Sequence, residues 1–185
     1  MKDIADAAGI KKALVRYYFP KKDAFEDLFL TRSLDLANGF VNELNIEDLE
    51  VMQRIYLLGY FELYYVCKHK TMLKVGKDIM RSREMTRYIQ KTIVAWILRN
   101  NDIPPEDRQR LSDAILYALG AAFEYIYFYM SEDKSFDLKA VFHVSVSILK
   151  TQTNYPLEVP DVEQLMPDEW MEQKCREMDR AMFGI

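Results

Sequence analysis

The sequence predicts an all-α protein, and three observations carry that prediction. Apolar residues recur at intervals of three and four along most of the chain, the spacing of one helix face. Alternating β-branched runs, the mark of half-buried strands, are scarce. Half of the 185 residues are hydrophobic, enough to bury one sizeable core. Two units of unequal size are expected: a small one with its connecting helix over residues 1–43, and a larger one over 44–185.

Taken in order, the pattern predicts helices over 2–8, 11–18, 21–43, 48–68, 72–80, 84–100, 106–131 and 137–152. Gly9 and Pro20 mark the early breaks, and "NNDIPPED" at 100–107 and "SEDKSFD" at 131–137 the later ones. In the last of these, Ser135 or Asp137 can cap the helix that follows. The tail "NYPLEVPDVEQLMP" holds three prolines and reads as extended or turn-rich. Beyond it Met171, Cys175, Met178 and Met182 form the apolar stripe of a last helix.

Several classes of function are disfavoured. The stretch "AILYALGAAFEYIYFYM" at 114–130 falls short of a membrane span, because it has 17 residues and contains Glu124. Two cysteines without a CxxC pair suggest neither a disulfide framework nor a zinc site, and a cytoplasmic protein is expected. No Walker loop, GxGxxG, GxSxG or HExxH occurs, so no catalytic residue, metal or cofactor is assigned and an enzyme is not expected. His69 reads as a favourable charge near a helix C-terminus, and His143 as an interfacial or core residue.

Charge is segregated under the net value of -4. Residues 1–22 carry six lysines and arginines against two aspartates, 68–91 carries eight basic residues against two acidic, and 155–185 carries eight acidic against three basic. A basic front end on an acidic protein suggests a local polyanion contact. In "DIADAAGIKKALVRYYFPKKDAF", residues 3–25, Ile4, Ala5 and Ala8 face inward on a first short helix and Gly9 permits a left-handed turn. Ile10, Leu14, Val15 and Tyr18 can then pack a second helix back on it. This is a helix-turn-helix that leaves Lys11, Lys12, Ala13, Arg16 and Tyr17 outward, a basic surface able to enter a major groove.

The stretch "IADAAGIKKALVRYYFPKKDAF" resembles the DNA-binding signature of the TetR family of bacterial transcriptional regulators. Ile4, Ala5, Ala8, Gly9, Tyr18, Phe19, Pro20 and Lys22 fall in its register. The resemblance implies an N-terminal helix-turn-helix DNA-binding domain followed by a larger ligand-binding and dimerisation domain. It further implies a homodimer that binds double-stranded DNA at a near-palindromic operator, as a repressor released by a small effector. By position, Lys12 and Ala13 approach bases, Tyr17 touches a base or phosphate, Tyr18 divides between packing and a phosphate, and Lys22 holds a phosphate. Lys11, Leu14 and Arg16 depart from the residues usual in the family, Lys11 and Arg16 adding charge. The family has a helix ahead of this motif; the sequence is expected to be the ordered part of a longer protein rather than a truncated one.

In the larger unit "RIYLLGYFELYYVCKHK" is apolar on every side with Glu62 as its only acid, so its helix should be surrounded. Tyr56, Tyr60 and Tyr64 form an aromatic stripe, readable as core or as the wall of an apolar pocket. A small apolar or aromatic effector is expected against Tyr60, Tyr64, Tyr88, Trp96, Glu124, Tyr127 and Phe128, with Glu124 either bonded in the core or facing a donor or cation. The basic run at 68–91 argues for an anionic effector unless it is solvated. Dimerisation is expected through 106–131 and 137–152 by way of Gly120, Ala122, Val141, Val144, Ser145 and Ile148. The alternative function is a helical small-molecule binding or scaffold protein without DNA binding.

Overall fold

The computed structural model describes residues 9, 11, 13, 17, 22–47, 49–153, 155 and 158–184, with backbone alone at 22–26 and 71. It is all-helical, and no strand occurs among the described residues. The helices are α1 (Lys22–Glu43), α2 (Val51–Lys68), α3 (Lys70–Arg81), α4 (Arg83–Asn100), α5 (Pro105–Ser131), α6 (Leu138–Gln152), α7 (Val162–Leu165) and α8 (Asp168–Phe183). The helix expected at 2–8 lies outside the described residues, as does that at 11–18 except for Lys11, Ala13 and Tyr17; Gly9 between them is described. Gly9 takes φ +63°, the left-handed turn for which a glycine is suited.

Local chemistry accounts for the boundaries. Gln53 Oε1 accepts from the Glu50 backbone N–H at 3.2 Å at the start of α2, and Ser82 Oγ accepts from Met85 N at 3.3 Å at the start of α4. Asp137 rather than Ser135 caps α6, its Oδ1 accepting from Lys139 N at 2.9 Å and Ala140 N at 3.3 Å. Pro105 opens α5 with Glu106 and Asp107 in its first turn, where acids oppose the positive helix end. At the other end of the chain, Gly184 takes φ +74° and its N–H bonds Arg180 O at 3.0 Å, a left-handed stop for α8. The proline-rich tail differs from the expected extended segment by holding one short helix, α7, where Asp161 Oδ1 accepts from Gln164 N at 3.3 Å.

The core runs through all the longer helices. Leu34, Ala37, Phe40 and Val41 on α1 pack with Leu57, Phe61 and Tyr65 on α2, and Met171, Cys175 and Met178 on α8 close that side. The connecting helix is thus part of the larger unit's core. Two glycines permit close crossings. A Cβ on Gly59 would stand 3.0 Å from the Phe142 ring of α6, and one on Gly76 of α3 would stand 2.5 Å from Val66 Cγ1 and 2.7 Å from Val66 O on α2. Helices α5 and α6 lie side by side as a hairpin, one face toward the core and one outward.

Helix α8 is joined to its neighbours by polar bonds. Arg32 donates to Ala181 O at 2.8 Å, and Lys174 Nζ donates to Glu43 Oε2 at 2.5 Å and Glu177 Oε2 at 2.9 Å. Asp179 accepts from the Tyr65 hydroxyl and from His69 Nε2, each at 2.8 Å. His69, at the C-terminal end of α2 as its position suggested, is a buried link between α2, α3 and α8. No described helix is long and apolar enough to cross a membrane.

Candidate functional site

The α2 sequence has apolar side chains on every side, so its burial draws α1, α3, α4, α5 and α6 around it. These helices leave a cavity of about 410 Å³ between them, in the range of small-molecule sites. Its wall is aliphatic and aromatic, with Leu30 from α1, Met72 from α3, Ile93 from α4, Phe123 from α5 and Phe142 from α6. At the α3–α4 side Val75 is exposed and Ile79, Met85 and Tyr88 are half-buried, so the cavity reaches the surface there.

One acid lies in this wall. Glu62 borders the cavity and so keeps some accessible surface, while protein surrounds its carboxyl. Ser33 Oγ of α1 donates to it, at 3.0 Å from Oε1 and 3.2 Å from Oε2. Burial raises the carboxyl from its ordinary 4.5 to about 7, and the bond from Ser33 opposes the rise only in part. No lysine, arginine, histidine or aspartate lines the cavity among the described residues. The other titratable groups in the wall are the phenols Tyr56, Tyr65 and Tyr88. Tyr56 is pushed up to about 12 by burial and by Tyr60, and Tyr65 is raised by burial and its bond to Asp179, so both remain neutral donors.

The residues expected to hold an effector are distributed differently. Tyr88 lines the cavity. Tyr60 and Tyr64 lie on another face of α2 and border a separate, more polar depression with Lys68, Lys139 and Asp168. There the Tyr64 hydroxyl donates to Glu172 Oε1 at 3.1 Å. Trp96 points to α1, its Nε1 donating to Asp35 Oδ1 at 2.7 Å. Tyr127 is half-buried and Phe128 is exposed, and neither lines the cavity. Glu124 is exposed on the outer face of α5, so the premise that it is a desolvated acid is corrected: Glu62 is the enclosed one. Glu124 shares the outward face of α5 with Ala121, Tyr125 and Phe128, while Ala122, Phe123 and Ile126 look in. The basic run at 68–91 is solvated, Lys77 half-buried and the other seven exposed.

The interface residues divide as well. Ala122, at 3% exposure, Val141 and Ser145 are buried within the subunit, and Ala122 and Ser145 line the cavity. Gly120 and Ile148 are half-buried and Val144 is 60% exposed. The outward face of the hairpin instead presents Tyr117, Ala121, Tyr125 and Phe128 on α5 beside Val144 on α6, with His143 exposed nearby rather than in the core. Of the residues expected to meet a second copy, Val144 looks outward while Ala122, Val141 and Ser145 look in.

At the front end Lys11, Ala13 and Tyr17 are exposed, Tyr17 at 78%. Lys12, Arg16 and Tyr18 lie outside the described residues, as does the side chain of Lys22, the first residue of α1. Compared with family models, curated proteins and solved structures, the chain finds no match.

Proposed function

We propose that this protein is a ligand-responsive DNA-binding regulator, a dimer whose grip on duplex DNA changes when a small apolar molecule enters the cavity around Glu62. The observation that carries this reading is the bond between Ser33 and Glu62. Ser33 belongs to α1, which starts at Lys22, within the stretch that resembles the helix-turn-helix signature. A molecule that takes the Glu62 carboxyl as its partner competes with Ser33, and so bears directly on the helix that leads to Lys12 and Arg16. Differential contact of this kind with two arrangements of a helix is what a ligand switch requires. The fit of the resemblance to this arrangement supports repression with release by the effector.

The second copy would cover the outward face of α5 and α6, where Tyr117, Tyr125, Phe128 and Val144 expose an apolar patch. Two helices from each subunit would then form a four-helix bundle.

Selection from a pool of random duplex DNA, followed by fluorescence anisotropy, tests the reading. The expected result is a near-palindromic duplex bound with steep salt dependence. Lys12→Ala and Arg16→Ala should each weaken binding and flatten the log-log salt slope by up to about one unit per lost phosphate contact. Absence of any enriched duplex, or unchanged affinity and slope in both variants, would overturn DNA binding and leave a helical small-molecule binding protein.

A further inference from the structure

We infer that the cavity selects an apolar molecule carrying one protonated amine, whose nitrogen pairs with the Glu62 carboxylate. This rests on the reading of the cavity as the effector site and names the chemistry of what enters it. An anion would place a second negative charge beside Glu62 inside an apolar wall with no cation to offset it among the described residues. The basic residues of 68–91 cannot serve, since they are solvated outside the cavity.

The surroundings of Glu62 define the polarity element by element. Helix α1 offers Ser33, a neutral donor. On α2 the phenols of Tyr56 and Tyr65 remain neutral, and Tyr88 is the one titratable side chain from α4 in the wall. From α8, Phe183 lines the cavity, while Cys175, Asp179 and Arg176 lie behind the wall, Asp179 acting on Tyr65 and Arg176 on the Cys175 thiol without lining the cavity. The wall residues of α3, α5 and α6 carry no titratable group. The described lining therefore favours positive charge on the guest, and the aromatic rings of Phe123, Phe142 and Tyr88 in the wall add to this preference. A cation also offsets the burial that raises the carboxyl, because the ionised acid then has a counter-charge where it otherwise has a single hydroxyl.

Isothermal titration calorimetry with decylamine, decanol and decanoate, which share one chain and differ in head group, tests the inference on the full chain. At about pH 8 decylamine should bind at least about tenfold more tightly than decanol, and decanoate most weakly. Glu62→Gln should abolish the preference for the amine while leaving decanol affinity within about twofold. On the unmodified protein, lowering the pH from about 8 to about 6 should weaken decylamine about tenfold, as the ionised fraction of Glu62 falls, and leave decanol unchanged. That pH series decides the matter if the Glu62→Gln variant fails to fold by circular dichroism. Decanol binding as tightly as decylamine, or a preference for the amine retained in Glu62→Gln, would overturn the cation and keep the cavity as a ligand site. Failure of all three probes to bind would overturn both readings.

Discussion

Two buried polar regions lie one turn apart along the same side of α2, and they are built on opposite plans. On the α8 side charges come in company: Asp179 takes bonds from Tyr65 and His69, and Lys174 meets both Glu43 and Glu177. Burial works against the charge on Lys174, yet the two carboxylates outweigh it and its ammonium is held above its ordinary value. Glu62 in the cavity wall has one serine hydroxyl and, among the described residues, no cation. The same face of α2 thus carries a closed polar seam toward its C-terminal end and, one turn earlier, an acid held by a single hydroxyl, with Tyr65 touching both. A satisfied network joins helices, whereas a lone buried acid costs stability unless something else meets it.

The contrast can be broken most forcefully at Asp179. Asp179→Ala leaves the Tyr65 hydroxyl and His69 buried without their shared acceptor, and should destabilise the fold by about 3–5 kcal/mol in urea titration. A loss below about 1 kcal/mol would mean that the seam does not join α2 to α8 as described.

The cavity acid should behave in the opposite sense. A carboxyl raised from 4.5 to about 7 binds its proton more tightly folded than unfolded. Its contribution is complete below about pH 4.5 and is lost as pH rises through about 7. Stability from this group should fall by about 2–3 kcal/mol across that window. Glu62→Gln should flatten that part of the profile, matching the parent protein near pH 4.5 and exceeding its stability near pH 8. Identical pH profiles for the two proteins would show that Glu62 is not desolvated.

Gly76 sharpens the comparison at the cavity's edge, where α3 crosses α2 beside Val66. Gly76→Ala puts a methyl group against the Val66 backbone, and a loss of about 1–3 kcal/mol in thermal or urea unfolding is expected. The smallest effect on folding belongs to the outer face. Val144→Arg should change subunit stability by no more than about 0.5 kcal/mol, yet yield monomers in analytical ultracentrifugation if a second copy covers that face. The same change at Ala122 would instead drive a charge into the cavity wall.

Much of the helical layout was legible because periodicity, proline and glycine are local signals. The expected span 137–152 meets α6 at 138–152, and the stripe of Met171, Cys175 and Met178 is buried as its spacing implied. The site was legible only in part. Glu62 already stood out as the single acid in a helix apolar all round, a signal strong enough to find it. Glu124 drew attention for the same reason, in an equally apolar stretch, yet it is exposed. Nothing in either stretch says which apolar side has a neighbour.

The sequence by itself determined that the chain is helical, where most helices begin and end, and that one acid belongs to an enclosed helix. These follow from backbone geometry and side-chain type within a few residues. Only the tertiary structure decided that Ser33, 29 residues away, meets Glu62, that Tyr64 turns to Glu172 while Tyr88 turns to the cavity, and that Ala122 faces in while Val144 faces out. Those choices depend on the rotation of each helix against its neighbours. A helix rotates about 100° per residue, so an orientation uncertain by one position moves a side chain from the wall of a cavity to the surface.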